Sequence, residues 1–145
     1  MVTRREPRWL ARKYVEAIHD TLLEQHGGLQ GLRDVGALES ALGRPMHRWH
    51  DGEAKDLADC AASYGFGIAK NHPFADGNKR TAFVAMATFY SWNGCELLAD
   101  EAETVHIMVG VAEGSVSEKA LAAWLRKNTP KPRRKRTGDL RRTGA

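Results

Sequence analysis

No apolar run in this chain approaches the roughly 20 residues that a bilayer-spanning helix needs, so no membrane span is expected. The first residues, Met1-Val2-Thr3-Arg4-Arg5-Glu6-Pro7, are basic, but no apolar stretch follows them, which argues against a secretory signal. Cysteine is scarce. Cys60 and Cys95 are too few for a disulfide framework, and both fall in apolar, helix-like surroundings that suit buried, reduced thiols. A cytoplasmic protein is the expectation. Period-two alternation is missing over any useful length and the β-branched residues are scattered, so no sheet is expected. No internal repeat is visible. With 145 residues, 42 % of them hydrophobic, the chain can build one domain with a real core.

The net charge of +4 is unevenly spread. Residues 126–145 hold nine of the 22 Lys/Arg and one of the 18 acids, Asp139, and are net +8. The first 125 residues then hold 13 bases and 17 acids, net −4, so the folded part has no general attraction for nucleic acid. From Pro130 onward Leu140 is the one large apolar side chain. Such a segment cannot offset its ordering entropy, so 129–145 reads as a disordered basic tail behind a domain at 1–128. Its run Pro130-Lys131-Pro132-Arg133-Arg134-Lys135-Arg136 could contact RNA or DNA without sequence preference. It lacks the interleaved aromatics that base stacking would need.

Helical spacing recurs along the rest. Segment 8–26 carries Trp9, Leu10, Lys13, Tyr14, Ala17, Ile18, Thr21 and Leu22 at intervals of three and four, and Gly27-Gly28 ends it. Residues 37–42 read as a short helix stopped by Gly43 and Pro45, followed by a polar loop at 46–53. Segment 54–70 shows Leu57, Cys60, Ala61, Tyr64 and Ile68 on one face; Gly65 and Gly67 weaken it but permit close packing. Segment 78–93, closed by Asn93-Gly94, is the most apolar and is expected at the centre. Segment 100–112 is helical. Ser115 and Glu118 stand in capping-box register for a last helix that packs through Leu121, Trp124 and Leu125. The expected fold is all-α, a compact bundle of about six helices. Trp9, Trp92 and Trp124 are assigned to the core and Trp49 to the outside. His19 and Asp20 read as surface or capping residues. His47 and His50 have a metal-like spacing without further ligands at matching distance, so zinc is not expected.

The densest chemistry lies in His72-Pro73-Phe74-Ala75-Asp76-Gly77-Asn78-Lys79-Arg80-Thr81. Gly77 and Asn78 tolerate positive φ, and a turn built from them aims successive N–H groups into one concavity at a helix N-terminus, an anion site. Lys79 and Arg80 add a compact and a forked cation for phosphate oxygens. Two cations at a helix start are electrostatically misplaced unless an anion binds there. Asp76 offers the hard oxygen that Mg²⁺ prefers. His72 can accept a hydroxyl proton. Phe74 reads as the plug pinning the loop to the core. Lys70 and Asn71 are expected to add to the phosphate field. Base, metal anchor and charge clamp are the parts of a phosphoryl or nucleotidyl transfer.

This stretch resembles the Fic-type signature His-x-Phe-x-(Asp/Glu)-Gly-Asn-x-Arg, and within it the death-on-curing (Doc) toxin branch. The resemblance covers most of 8–127. It extends to His26-Gly27-Gly28, to Gly31-Leu32-Arg33-Asp34 through Glu39-Ser40-Ala41-Leu42-Gly43-Arg44-Pro45, and to Leu121-Ala122-Ala123-Trp124-Leu125. It implies a Fic-type helical fold and ATP-dependent transfer to a protein hydroxyl. His72 matches the catalytic base, Asp76 the Mg²⁺ ligand, Gly77, Asn78, Lys79 and Arg80 the anion nest, and Phe74 the anchor. The family places a substrate-positioning flap before the second long helix, where 46–53 lies. Fic adenylyltransferases usually have glycine where this chain has Lys79 and a second arginine where it has Phe83. The Doc branch shares both departures and is associated with transfer of the γ-phosphate to elongation factor Tu. The resemblance therefore implies a kinase-type toxin that arrests translation, with AMP transfer or a catalytically inactive, tail-binding module as alternatives. Many Fic proteins carry an inhibitory Ser/Thr-x-x-x-Glu motif. Here the position four before Glu113 is Val109, so no internal brake is expected and a separate small, Phd-like antitoxin is implied.

Overall fold

A computed structural model describes residues 5–130. The basic tail inferred for 129–145 falls, beyond Pro130, outside the described residues. Six helices follow in order: α1 (Arg12–His26), α2 (Val35–His50), α3 (Leu57–Asn71), α4 (Asn78–Trp92), α5 (Glu101–Glu113) and α6 (Glu118–Lys127). Among the described residues there is no strand, only an isolated antiparallel bridge between Leu32 and Phe74. None of these helices is long and apolar enough to cross a membrane. The all-α architecture matches the pattern of helical spacing.

The centre is α3, not α4. It packs on α2, α4, α5 and α6, and ten of its fifteen residues are buried. A helix enclosed by four others must present small side chains, and Ala58, Ala61, Ala62, Gly65, Gly67 and Ala69 are the ones buried here. A Cβ on Gly67 would stand 3.1 Å from Ala41 Cβ, and one on Gly65 would stand 2.7 Å from Met86 Sδ. Both glycines are therefore contact points with α2 and α4. Bulky apolar side chains are denser in α4, with Phe83, Met86, Phe89, Tyr90 and Trp92, whereas the most enclosed position demands smallness.

Helix α2 runs straight through the expected stop. Gly43 and Pro45 lie inside it, and the segment 46–50 expected as loop is its last turn. Leu38, Ala41, Pro45 and Trp49 are its buried residues, spaced as one stripe facing the core. Burial of that stripe outweighs the hydrogen bond lost at the proline nitrogen. Trp49 is thereby a core residue, 9 % exposed, contrary to its assignment to the outside. Helix α1 starts at Arg12, because 8–11 is extended: Leu10 N donates to Tyr64 Oη at 2.9 Å, and Arg8 pairs with the Asn93 side chain. Its buried face is Val15 and His19, with Tyr14, Ala17 and Thr21 exposed, so the expected stripe is rotated. Helix α6 is capped by Ser117, whose Oγ accepts from Ala120 N at 3.0 Å, rather than by Ser115. Glu118 leaves the capping box to bind Arg44 of α2 and Ser63 of α3. Cys60 is buried, Cys95 only half so, and no disulfide joins them.

Candidate active site

The loop 72–77 joins the two most enclosed helices, and its shape is set at both ends by left-handed residues. His72 caps α3 at φ 48°, ψ 56°, and is the one non-glycine with positive φ among the described residues. Such a conformation persists only where the surroundings impose it. Arg33 supplies that constraint: its guanidinium donates to the His72 carbonyl through Nε (3.0 Å) and Nη2, and to the Asn71 carbonyl at 3.3 Å. These are carbonyls at the C-terminal end of α3, where a cation is favoured by the helix dipole. Gly77 then caps α4 at φ 76°, ψ 18° with no side-chain cap bond. The N–H groups of Asn78, Lys79 and Arg80 therefore open the helix without intrahelical partners, as the first N–H groups of any helix do.

Asn78 is buried and closes the loop internally. Its Oδ1 accepts from Phe74 N and its Nδ2 donates to Phe74 O, both at 2.9 Å. The same Nδ2 lies 3.5 Å from His72 Nδ1, too long to fix which ring nitrogen carries the proton. Phe74, 2 % exposed, is the anchor the sequence suggested. The segment before α2 pairs along the loop: Ala75 N donates to Gly31 O at 3.0 Å, and Arg33 N donates to Pro73 O at 2.7 Å. The strip flanking the 72–77 loop is thus 31–34, and not 46–53, whose first half is helical.

Asp76 is exposed, yet its carboxylate is aimed. Oδ2 accepts from Leu29 N at 3.2 Å and Oδ1 from Gly77 N at 2.9 Å. These two N–H bonds, helped by the charges of Lys79 and Arg80, outweigh desolvation and hold the carboxyl below its ordinary value. It is therefore an anion over any physiological pH. Gly28 makes room for it, since a Cβ there would stand 2.9 Å from Asp76 Oδ2.

Asp76, Gly77, Asn78, Lys79 and Arg80 line one wall of a cleft of about 620 Å³. The rest of its lining is largely apolar, with Leu22 of α1, Phe83 and Val84 of α4, and Val105, Met108 and Val109 of α5, but His26 of α1 and Glu101 and Thr104 of α5 also line it. A volume of that order and a mostly apolar lining with a few polar groups suit a nucleotide-sized ligand. The part lined by Asp76 to Arg80 fits phosphate and a divalent cation. Mg²⁺ typically takes one or two carboxylates plus phosphate oxygens rather than an all-protein cage, and no group of three potential ligands occurs among the described residues. One ionised carboxylate beside a helix N-terminus and two cations fits that requirement.

Of the sequence-derived set, Asp76 and Gly77 to Arg80 line the cleft, while His72, at the start of the same loop, is exposed and is not among the lining residues. Lys70 and Asn71 do not join it. Asn71 Nδ2 donates to Ala37 O, and Lys70 Nζ lies near the Gly114 turn. Sequence reasoning missed His19, which is 3 % exposed rather than on the surface and hydrogen-bonds the Asp76 carbonyl. Its i,i+4 spacing from Val15 was the available signal. Arg33 and the α5 wall were also missed. Their roles depend on tertiary contacts with elements some 40 residues or 25 residues away, which no local pattern encodes.

Comparison with known proteins agrees with the geometry. The chain is 36 % identical over 111 residues to "Protein kinase doc" of Escherichia phage P1, covering 77 % of this chain and 87 % of that protein. It is 43 % identical over 75 residues to "Toxin Doc" of Mycolicibacterium smegmatis, covering 51 % and 58 % respectively. The Fic/DOC family profile matches residues 9–90, which include the loop, its flanking strip and nearly all of α4. By that match and those relatives, the chain belongs to the Fic/DOC family, in its Doc branch.

Proposed function

We propose that this protein is a Doc-type toxin, a transferase that moves the γ-phosphate of ATP to a hydroxyl of a translation factor, with elongation factor Tu as the expected target. The observation that carries the reading is that Lys79 and Phe83 line the same cleft as Asp76 and the α4 N-terminus. An apolar ring at Phe83 cannot clamp a phosphate, and the Lys79 side chain crowds a nest that a glycine would leave open. Both features disfavour the pose that exposes the α-phosphate. The relative named a protein kinase supports the same choice.

In this reading His72 takes the proton of the target hydroxyl. The hydroxyl oxygen forms a bond to the γ-phosphorus while the β–γ bridging P–O bond breaks and ADP departs. The α4 N–H groups, Lys79 and Arg80 hold phosphate oxygens, and Asp76 would hold Mg²⁺, whose charge would offset that of the phosphates. Arg33 and Asn78 fix the loop so that base and anion nest keep their spacing. The chain carries Val109 four positions before Glu113, so it lacks the inhibitory motif there. A small Phd-like antitoxin is the proposed brake, a segment of which folds onto this domain. The basic tail is assigned at most a nonspecific nucleic-acid contact that the transfer does not need.

The test is the intact mass of elongation factor Tu after incubation with this protein, ATP and Mg²⁺, beside a His72→Ala control. Gain of one phosphoryl group, absent in the control and kept when 129–145 is deleted, is the expected result. Gain of an AMP group would replace phosphotransfer with adenylylation. Loss of the gain on tail deletion would move the function to the tail.

A further inference from the structure

His19 occupies a helix position where an aliphatic side chain would ordinarily fill the core. Its ring lies flat on Phe74, with centroids 3.8 Å apart and planes 9° from parallel. Its Nε2 stands 2.8 Å from the carbonyl oxygen of Asp76. A carbonyl can only accept, so Nε2 carries the proton in this contact. The other nitrogen, Nδ1, is 4.0 Å from Asp20 Oδ1, beyond hydrogen-bond range of a carboxylate that is 83 % exposed. Stacking fixes the plane of the ring, and the hydrogen bond fixes its reach.

The accepting carbonyl belongs to the same peptide unit as the Gly77 N–H. That unit is planar and trans, so its C=O and N–H point in opposite directions. A donor that holds the oxygen toward α1 therefore also turns the N–H, and this N–H is the one that binds Asp76 Oδ1 at 2.9 Å. Accepting a hydrogen bond at the oxygen further polarises the N–H at the other end. The second carboxylate oxygen is held from the opposite side by Leu29 N. The carboxylate is thus aimed by two N–H groups, and one of them is set by a buried imidazole two turns into α1.

We propose that His19 is a positioning residue for the divalent-cation site: it orients the Asp76–Gly77 peptide and, through it, the Asp76 carboxylate. The proposal rests on the phosphotransfer reading for the identity of the ligand, but its geometry stands apart from that reading. Phe74 is both anchor and stacking platform.

Two variants separate donor from packing. His19→Phe keeps a flat ring against Phe74 and removes the donor. His19→Gln removes the stack and returns an amide N–H the same number of bonds from Cβ. The first readout is the tautomer of His19 in the unliganded wild-type protein, by long-range ¹H–¹⁵N correlation. Protonation at Nε2 is expected, and a ring protonated only at Nδ1 overturns the proposal. The second is titration of Mn²⁺ in the presence of ATP, with thermal melting of each variant alongside. His19→Phe is expected to weaken Mn²⁺ binding about tenfold, and His19→Gln to restore it to within about threefold of wild type. Equal weakening in both variants, or unchanged Mn²⁺ affinity in His19→Phe, overturns the proposal in favour of packing alone. If the wild type binds no Mn²⁺ with ATP, the phosphotransfer reading fails, and the tautomer still decides whether His19 holds the peptide. If His19→Phe does not fold, the comparison passes to His19→Gln against His19→Leu with the same criterion.

Discussion

Asn78 and Phe74 form a closed ring of two 2.9 Å hydrogen bonds, side-chain amide to backbone N–H and carbonyl, inside the loop that carries His72 and Asp76. Both ends of the Asn78 amide are used, so no other side chain of similar size reproduces the pair. Aspartate would offer acceptors only, and would face the Phe74 carbonyl with a second negative oxygen. Asn78→Asp is therefore expected to lose about 2–3 kcal/mol of stability, because it removes one buried hydrogen bond and sets two acceptors against each other. Urea unfolding of the variant beside wild type measures it. A change below about 0.5 kcal/mol would mean that solvent replaces the pair.

A second prediction uses two adjacent glycines as each other's control. Gly27 and Gly28 both have positive φ, 75° and 124°, so a side chain strains the backbone at either. Only at Gly28 would the new Cβ touch the site, 2.9 Å from Asp76 Oδ2, whereas nothing lies within 4 Å at Gly27. Each alanine substitution is expected to cost about 1–3 kcal/mol of stability. Weakened binding of Mn²⁺ with ATP is expected for Gly28→Ala alone. Equal binding by the two variants would show that the Asp76 carboxylate yields without consequence.

Much of this arrangement was legible in the sequence, and the limits of that reading have physical causes. The loop residues were readable because their chemistry is local: a glycine with positive φ, an asparagine and two cations mark a helix-start nest wherever they occur in that order. Six helices were readable because their apolar faces repeat. The path of α2 was not, since Pro45 is a stop signal by propensity and only the burial of Leu38, Ala41, Pro45 and Trp49 against α3 overrides it. His19 was misread because its partner, a backbone carbonyl 57 residues later, has no sequence signature. The position of the loop's flanking strip was misread for the same reason.

A third prediction concerns Glu118, which joins three helices. Its carboxylate receives Arg44 Nε at 2.9 Å and the Ser63 hydroxyl at 2.8 Å, with Arg48 Nη1 at 3.4 Å. Burial pushes this carboxyl up, but those hydrogen bonds and the two arginine charges outweigh it and hold it below the ordinary glutamate value of 4.5. A depressed folded-state value means that the stabilisation is fully present above about 4.5 and is lost as pH falls through the lower folded value. Glu118→Gln is expected to lower stability at neutral pH by about 1–2 kcal/mol. It should also flatten the acid limb, so that the two proteins converge below the glutamate range. Urea midpoints measured from neutral pH downward test this, and parallel acid limbs would rule Glu118 out as a contributor.

The last prediction concerns Thr81, one turn into α4. Its Oγ1 is the one buried side-chain N or O atom without a hydrogen-bond partner among the described residues, and the residue is fully buried. A hydroxyl desolvated without compensation costs about 1–3 kcal/mol relative to an apolar group of the same shape. Valine has that shape, is β-branched like threonine, and differs little from it in helix propensity. Thr81→Val is therefore expected to raise stability by about 1 kcal/mol, read as an increase in the urea midpoint at unchanged slope. The opposite sign would reveal that the hydroxyl has a partner after all, either an ordered water or a shifted carbonyl of the preceding turn. In that case Thr81 would tie the head of α4 to the Gly77 cap, and its loss would loosen the anion nest along with the helix.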